Sequence, residues 1–369
     1  MKFVCSRSDL IAGLQIVSKA VPNKTTMSIL ECILIDATEG VIRFIANDME
    51  LGIQTEIDGD IIERGFIAVD AKIFFDIIRK LPDSDVTIDC DAQGKITINC
   101  LKAKFSIVGR NADDFTYLPS IEKIDGISIS QYTLKNVIQQ TIFSIAENDA
   151  NKMMSGELFE VNQDTLKLVS LDGHRISIRK VKLQNSYDYK KVVVPGKTLS
   201  EISKIISDST DNNVDIYFTD KHIMFEFDRT IVVSRLLEGE YFNIDQMLSS
   251  DYETKMTISR KEMLDCIDRA TLLVKEGDKK PVIIAIDDEK MELKINSAIG
   301  SMDEEIEIEK HGKDIIIGFN PKFLIDALRA IEDESIDIYM VNPKAPCFIR
   351  DKDSTYTYLV LPINFTTVS

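Results

Sequence analysis

The chain has 369 residues, 44 Lys and Arg against 61 Asp and Glu, a formal net charge of −17 and 44% hydrophobic residues. That composition excludes a disordered chain and a uniformly basic nucleic-acid binder, so any contact with nucleic acid must come from local placement of cations. No apolar run reaches the ~20 residues that span a bilayer.

The opening segment Met1-Lys2-Phe3-Val4-Cys5-Ser6-Arg7 has no apolar core of the signal-peptide kind before Arg7 and Asp9. The six cysteines, Cys5, Cys32, Cys90, Cys100, Cys266 and Cys347, never form a C-x-x-C pair, which suits reduced thiols. A soluble, cytoplasmic protein is the expectation.

The first predicted helix opens at Ser6-Arg7-Ser8-Asp9-Leu10 and carries Leu10, Leu14 and Val17 at helical spacing. A second follows at Ala71-Lys72-Ile73-Phe74-Phe75-Asp76-Ile77-Ile78-Arg79. Alternating segments at Val86–Cys90 and Ile96–Cys100, divided by Asp91-Ala92-Gln93-Gly94, read as half-buried strands joined by a turn.

The pattern then repeats. Ser130-Gln131-Tyr132-Thr133-Leu134 opens a third helix with Leu134, Ile138 and Ile142 on one face, and Gly196-Lys197-Thr198-Leu199-Ser200-Glu201-Ile202-Ser203-Lys204 forms a fourth. Val214–Phe218 alternates as a strand, and Asp172-Gly173 and Glu238-Gly239 are the turns of this stretch. Ser259-Arg260-Lys261-Glu262-Met263 opens a fifth helix with a capping-box pattern and Met263, Ile267, Ala270 and Val274 in register. Strands at Met291–Ile295 and Ile336–Met340 and a sixth helix at Pro321–Arg329 complete the third copy.

Lys72, Lys197 and Lys322 fall 125 residues apart, and each is followed seven residues later by Arg79, Lys204 or Arg329. Seven residues are two helical turns, so both cations of a pair share a face. The spacing predicts three α+β domains, each with two helices and antiparallel sheet, over residues 1–123, 124–250 and 251–369. One such pair is ordinary solvated helix surface; three at one repeat position, in so acidic a chain, form a candidate surface for phosphate backbone. Lys19, Lys24, Lys80, Lys152 and Arg269 could extend it.

Catalytic and metal motifs are weak. Gly196-Lys197-Thr198 has the ending of a phosphate-binding loop, but Lys191 stands where the loop needs its first glycine, and Ala71 and Pro321 replace Gly196 in the sister segments. His174, His222 and His311 have no metal-ligand spacing, and Asp172-Gly173-His174-Arg175 lacks a partner nucleophile motif. No catalytic residue, metal or cofactor is expected; a three-domain enzyme with a site near Lys197 or Asp172 is the alternative.

The Met1-Lys2-Phe3 start, the three repeats, Asp172-Gly173-His174-Arg175, Gly318-Phe319-Asn320 and the closing Tyr358-Leu359-Val360-Leu361-Pro362-Ile363 together resemble the bacterial sliding clamps, the beta subunits of DNA polymerase III. The resemblance covers the whole chain. It implies a non-catalytic DNA sliding clamp, a processivity factor in DNA replication: a head-to-tail homodimer ringing duplex DNA without regard to sequence, helices inside and sheets outside. It implies partners in the polymerase III alpha subunit, the clamp loader and other proteins with a clamp-binding motif, and none in a membrane. Domain geometry agrees with two chains. A 125-residue globule is roughly 36 Å across, three in a triangle leave a hole of only ~6 Å, and six in a hexagon leave about 36 Å.

The resemblance also assigns a partner-peptide groove to Met154, Leu171, Gly173, His174, Arg175, Ile176 and Met247, with Asn320 and Phe323, and Leu359, Val360, Leu361, Pro362 and Ile363. Phe242 and Gln246 stand in that groove where many relatives carry Pro and Arg, and Thr366-Thr367-Val368-Ser369 extends past the usual end. The dimer seam is assigned to Phe105 and Ile107 against Leu272 and Leu273.

Overall fold

The computed structural model describes residues 1–146, 151–248, 251–274 and 280–365. The extension Thr366-Thr367-Val368-Ser369 lies outside the described residues, as does the expected boundary at residue 250.

The described α-helices are α1 (Arg7–Val17), α2 (Ala71–Lys80), α3 (Gln131–Gln139), α4 (Gly196–Ile205), α5 (Arg260–Thr271) and α6 (Pro321–Ala330). Their starts follow from local chemistry. The hydroxyls of Ser6, Ser130 and Ser259 accept from the backbone N–H of Asp9, Thr133 and Glu262, each satisfying one donor that the first turn leaves unpaired. Asp70 and Asn320 cap α2 and α6 through Ile73 and Lys322. α2, α4 and α6 each begin at the same repeat position and each run for 10 residues. Ile142 and Val274, read from the sequence as helical, fall beyond the ends of α3 and α5, in a 3-10 turn and a bend.

The chain divides into two compact units, one of residues 1–134 and 201–236, the other of residues 135–200 and 237–369. The first unit holds a five-stranded sheet, in the order Asp60–Glu63, Lys2–Ser6, Asp85–Cys90, Lys95–Cys100 and Ala103–Val108. Its eight-stranded sheet runs Ile127–Ser130, Asn213–Phe218, His222–Phe227, Thr230–Arg235, Leu51–Ile57, Ile42–Asn47, Cys32–Asp36 and Phe66–Asp70. Strands far apart in sequence thus share a sheet: Ile231 pairs with Gln54, and the Thr55 and Thr230 hydroxyls meet at 2.8 Å in the core.

The second unit holds a seven-stranded sheet, in the order Gly156–Leu171, Arg175–Pro195, Tyr356–Val360, Cys347–Arg350, Ser335–Met340, Thr254–Ser259 and Glu309–Gly312. A four-stranded sheet runs Ser301–Glu307, Lys290–Asn296, Val282–Asp287 and Ile315–Phe319. The paired strands register antiparallel, with apolar residues alternating into the core, as Val86, Ile88 and Cys90 do. The two long strands Gly156–Leu171 and Arg175–Pro195 have no counterpart in the sequence reading; in the second, the stretch 184–191 is polar and mostly exposed on both faces.

All six cysteines are free and buried. Glu238-Gly239, read as a turn between strands, instead lies in the connection after Thr230–Arg235; a Cβ at Gly239 would stand 3.2 Å from the Met153 sulfur, so close approach explains the glycine.

Candidate functional site

The six repeat cations are placed as their spacing requires: Lys72, Arg79, Lys197, Lys204, Lys322 and Arg329 are all exposed on their helices. The second member of each pair is held by a carboxylate. Arg79 lies 2.9 Å from Asp76 and Lys204 2.8 Å from Glu201, each three residues back on its own helix, while Arg329 reaches Asp268 at 3.4 Å. Such exposed pairs are weak and exchange readily with other anions. Of the added cations, Lys24, Lys80 and Lys152 are exposed, Lys19 is half-buried 3.8 Å from Glu201, and Arg269 is held by Glu304.

Gly196 is a packing residue. A Cβ there would lie 2.2 Å from Ile145 Cδ1 and 2.9 Å from the Ser155 carbonyl oxygen, so the glycine lets the start of α4 approach its neighbours and builds no phosphate loop. Among the described residues no cluster of His, Cys, Asp and Glu could hold a metal ion.

The turn Asp172-Gly173-His174-Arg175 is tied down from within. Asp172 Oδ1 accepts from the backbone N–H of His174 at 3.0 Å and of Arg175 at 3.1 Å, and Gly173 takes φ +83°, a left-handed value that glycine adopts without strain. Asp172 Oδ2 accepts from Arg175 Nε at 2.9 Å. With both oxygens engaged, Asp172 is a structural residue.

Arg175 is only 6% exposed. Its Nη1 donates to Asp326 at 2.7 Å and its Nη2 to the Phe143 carbonyl at 2.5 Å, and the guanidinium stacks 4.4 Å from the Phe323 ring centre. Burial opposes the charge, and the Tyr358 phenol with Asp326 and Asp172 overcomes that penalty, holding the guanidinium above its ordinary pKa. Arg175 therefore lies beneath the surface of the candidate set, bracing the turn and α6 from within.

Leu171 and Ile176 face each other across the hairpin and Ile176 faces Leu359 on the next strand. All three are buried in one apolar cluster with Tyr241, Ile244 and Phe348, against which Met154 and Phe242 pack half-buried. Val360 is buried opposite Arg175. Past this strand the Leu361 N–H donates to the His174 carbonyl at 2.8 Å and the Ile363 N–H to the Gly318 carbonyl at 2.8 Å, so Leu361-Pro362-Ile363 is pinned at both ends. What remains at the surface is His174, 6.2 Å from the Phe323 ring, together with Leu361, Gln246 and Met247, the last 50% exposed. Half-buried Pro362, Ile363 and Asn320 complete the candidate set.

Sequence reasoning missed Asp326 and Phe143, which hold Arg175. Asp326 carried a signal: it recurs at the interval of Asp76 and Glu201.

Of the candidate seam residues, Phe105 is exposed and Ile107 half-buried on Ala103–Val108, a strand at the end of its sheet. Leu272, just past α5, is 79% exposed, and Leu273 is half-buried.

Family models of the DNA polymerase III beta subunit match the chain three times: the N-terminal domain over residues 1–119, the central domain over 128–243 and the C-terminal domain over 245–364. The chain is 32% identical to a beta sliding clamp of Staphylococcus aureus, covering 98% of this chain and 99% of that protein. A structure described as a DNA polymerase III beta subunit from Eubacterium rectale is 65% identical, with a TM-score of 0.96 over 99% of this chain and 100% of that one. The DNA polymerase sliding clamp of Bacillus subtilis is 33% identical, with a TM-score of 0.96 and the same coverage.

Proposed function

This chain belongs to the DNA polymerase III beta-subunit family, the bacterial sliding clamps, and from that premise we propose that two copies close head to tail into a ring that encircles duplex DNA and tethers the replicative polymerase. The family is one of non-catalytic processivity subunits, which sets aside an enzyme with a site near Lys197 or Asp172. Domains spanning residues 1–123, 124–250 and 251–369, and a cytoplasmic location, belong to the same proposal; no helix among the described residues is long and apolar enough to cross a membrane.

The observation that carries the DNA-facing part is the recurrence of exposed Lys72, Lys197 and Lys322 at the starts of three equal helices. Cations there engage phosphates without reading bases, and weak, exchanging contacts let the ring slide.

Two sheet edges support the dimer. Ala103–Val108 and Ser301–Glu307 each end a sheet, and an unpaired edge is a template for another strand. Lys102 and Lys104 accompany the first edge, Asp303, Glu305 and Glu307 the second, so the edges are complementary in charge. Joining them between copies is a heterologous contact that closes after two chains.

The groove around Leu361, Met247 and His174 takes the short apolar peptide of the polymerase alpha subunit, the clamp loader and other clients. Titration with a clamp-binding peptide carrying a Gln and spaced apolar side chains tests this. Leu171 is core, so Leu171→Asp would unsettle the fold as well as the groove. Leu361→Asp changes an exposed side chain instead and should weaken the peptide at least tenfold with the melting temperature unchanged; affinity within twofold of the parent would refute the assignment.

A further inference from the structure

The turn at Asn47-Asp48-Met49-Glu50 repeats the architecture of the turn at residues 172–175. Asp48 Oδ1 accepts from the Glu50 N–H at 3.0 Å and the Leu51 N–H at 2.7 Å, as Asp172 Oδ1 does from His174 and Arg175. The next residue is left-handed in both, Met49 at φ +76° and Gly173 at +83°. The strand leaving the first turn, Leu51–Ile57, pairs antiparallel with Thr230–Arg235; the strand leaving the second, Arg175–Pro195, pairs with Tyr356–Val360. Each turn then accepts one more backbone hydrogen bond, from Arg235 N–H to the Glu50 carbonyl at 2.9 Å and from Leu361 N–H to the His174 carbonyl at 2.8 Å. Arg235 therefore stands where Leu361 stands, and Tyr117, 125 residues before Phe242, supplies the matching aromatic.

This first copy encloses an open cavity of about 250 Å³ lined by Met49, Tyr117, Pro119, His222, Val233 and Arg235. Met49 is 48% exposed although an unbranched L side chain at φ +76° is strained, and the sister turn avoids that strain with glycine. An exposed thioether kept in a costly conformation gains nothing from core packing and is suited to an apolar side chain from outside. Tyr117 is equally open, at 50%.

Charge separates the two grooves. Arg235 is exposed and forms no ion pair among the described residues, and Lys221 adjoins the cavity residue His222. Burial together with Arg235 and Lys221 holds the His222 imidazole below its ordinary pKa, so the permanent positive charge of the rim is Arg235 and Lys221, faced by Glu50 alone among the lining carboxylates.

We propose that this cavity is a second peptide-docking groove, taking an extended segment of a partner protein in which a Leu or Phe side chain is followed by Asp or Glu. The apolar side chain sits over Met49 and Tyr117 and the carboxylate pairs with Arg235. The inference rests on the reading of the Leu361 groove as a peptide site, whose pattern it repeats.

The probe is a fluorescein-labelled, acetylated hexapeptide of sequence Gly-Leu-Phe-Asp-Asp-Gly, titrated by anisotropy against the full-length protein in low salt. Arg235→Glu reverses an exposed charge and should weaken the probe at least tenfold. Met49→Gly, which relieves the left-handed strain and so protects the fold, should weaken it about fivefold. Neither substitution should change binding of the Gln-containing clamp-binding peptide, and that peptide should not displace the probe. Absence of probe binding at millimolar protein, affinity within twofold in both variants, or displacement by the Gln-containing peptide would overturn the proposal. Failure of the Leu361 groove is read separately, as a Gln-containing peptide indifferent to Leu361→Asp.

Discussion

Asp326 accepts a hydrogen bond from Arg175 at 2.7 Å, although it occupies the repeat position at which Asp76 and Glu201 pair with Arg79 and Lys204 of their own helices. One of three equivalent carboxylates has thus been diverted from the helix surface to a buried guanidinium. The consequence is mechanical: α6, which carries Lys322 and Arg329, is tied to the turn that carries His174.

Removing that carboxylate charge should be costly, because Arg175 is buried and keeps, among the described residues, only Asp172 as an ionic partner. Asp326→Asn should lower unfolding free energy by about 1.5–3 kcal/mol, the scale of a hydrogen bond to a charged group. Asp76→Asn, at the equivalent exposed position, should change it by less than about 0.5 kcal/mol. Denaturant titration of the two variants beside the parent measures the contrast, and equal effects would show that the buried pair has no special weight.

Replacing Lys72, Lys197 and Lys322 by Glu should leave folding intact and weaken DNA association, with a shallower dependence of affinity on salt. All three are exposed on their helices, where a single charge contributes little to stability. Binding of a duplex at several salt concentrations checks this; an unchanged slope would place the helix starts away from the phosphates.

At the seam, Leu272→Ala with Leu273→Ala removes apolar surface beside α5 that the free chain leaves 79% exposed at Leu272. Each truncated side chain forfeits roughly 1.5–2 kcal/mol of association free energy if buried between copies. Sedimentation at submicromolar concentration should show monomer for the double variant and twice the 41.7 kDa chain mass for the parent.

Glu157 is wholly buried, and burial pushes its carboxyl up to about 8 from an ordinary value of 4.5, against a smaller downward pull from the Thr141 hydroxyl. The folded state holds this proton more tightly than the unfolded state, so its contribution to stability is complete below about pH 4.5 and is lost as the pH rises through about 8. Glu157→Gln removes the titration. Its melting temperature relative to the parent should therefore be higher at pH 8.5 than at pH 5.5, and a pH-independent difference would contradict the assignment.

The repeat made the helices legible, since caps and cations recur with it, and α2, α4 and α6 start at Ala71, Gly196 and Pro321 as the spacing requires. The strands were legible where one face is buried, as in Val86–Cys90, and illegible at residues 184–191, where solvent meets both faces and no alternation survives. The groove residues came from family resemblance, and their exposure did not. Leu171 and Arg175 read alike as surface candidates in the sequence, yet one belongs to the apolar core and the other to a buried ion pair, because both outcomes depend on strands and helices more than a hundred residues away. Asp326 recurs at the interval of Asp76 and Glu201, but its pairing with Arg175, 151 residues away, left no trace in that spacing.

A ring holds DNA by surrounding it, not by gripping a sequence. The direct measurement is retention on DNA during gel filtration after loading by the clamp loader onto a nicked circle, followed by cutting the circle once with a restriction enzyme. A ring should be retained stably on the circle at moderate salt and released after linearisation, as it slides off the ends. Equal retention on circular and linear DNA would contradict it.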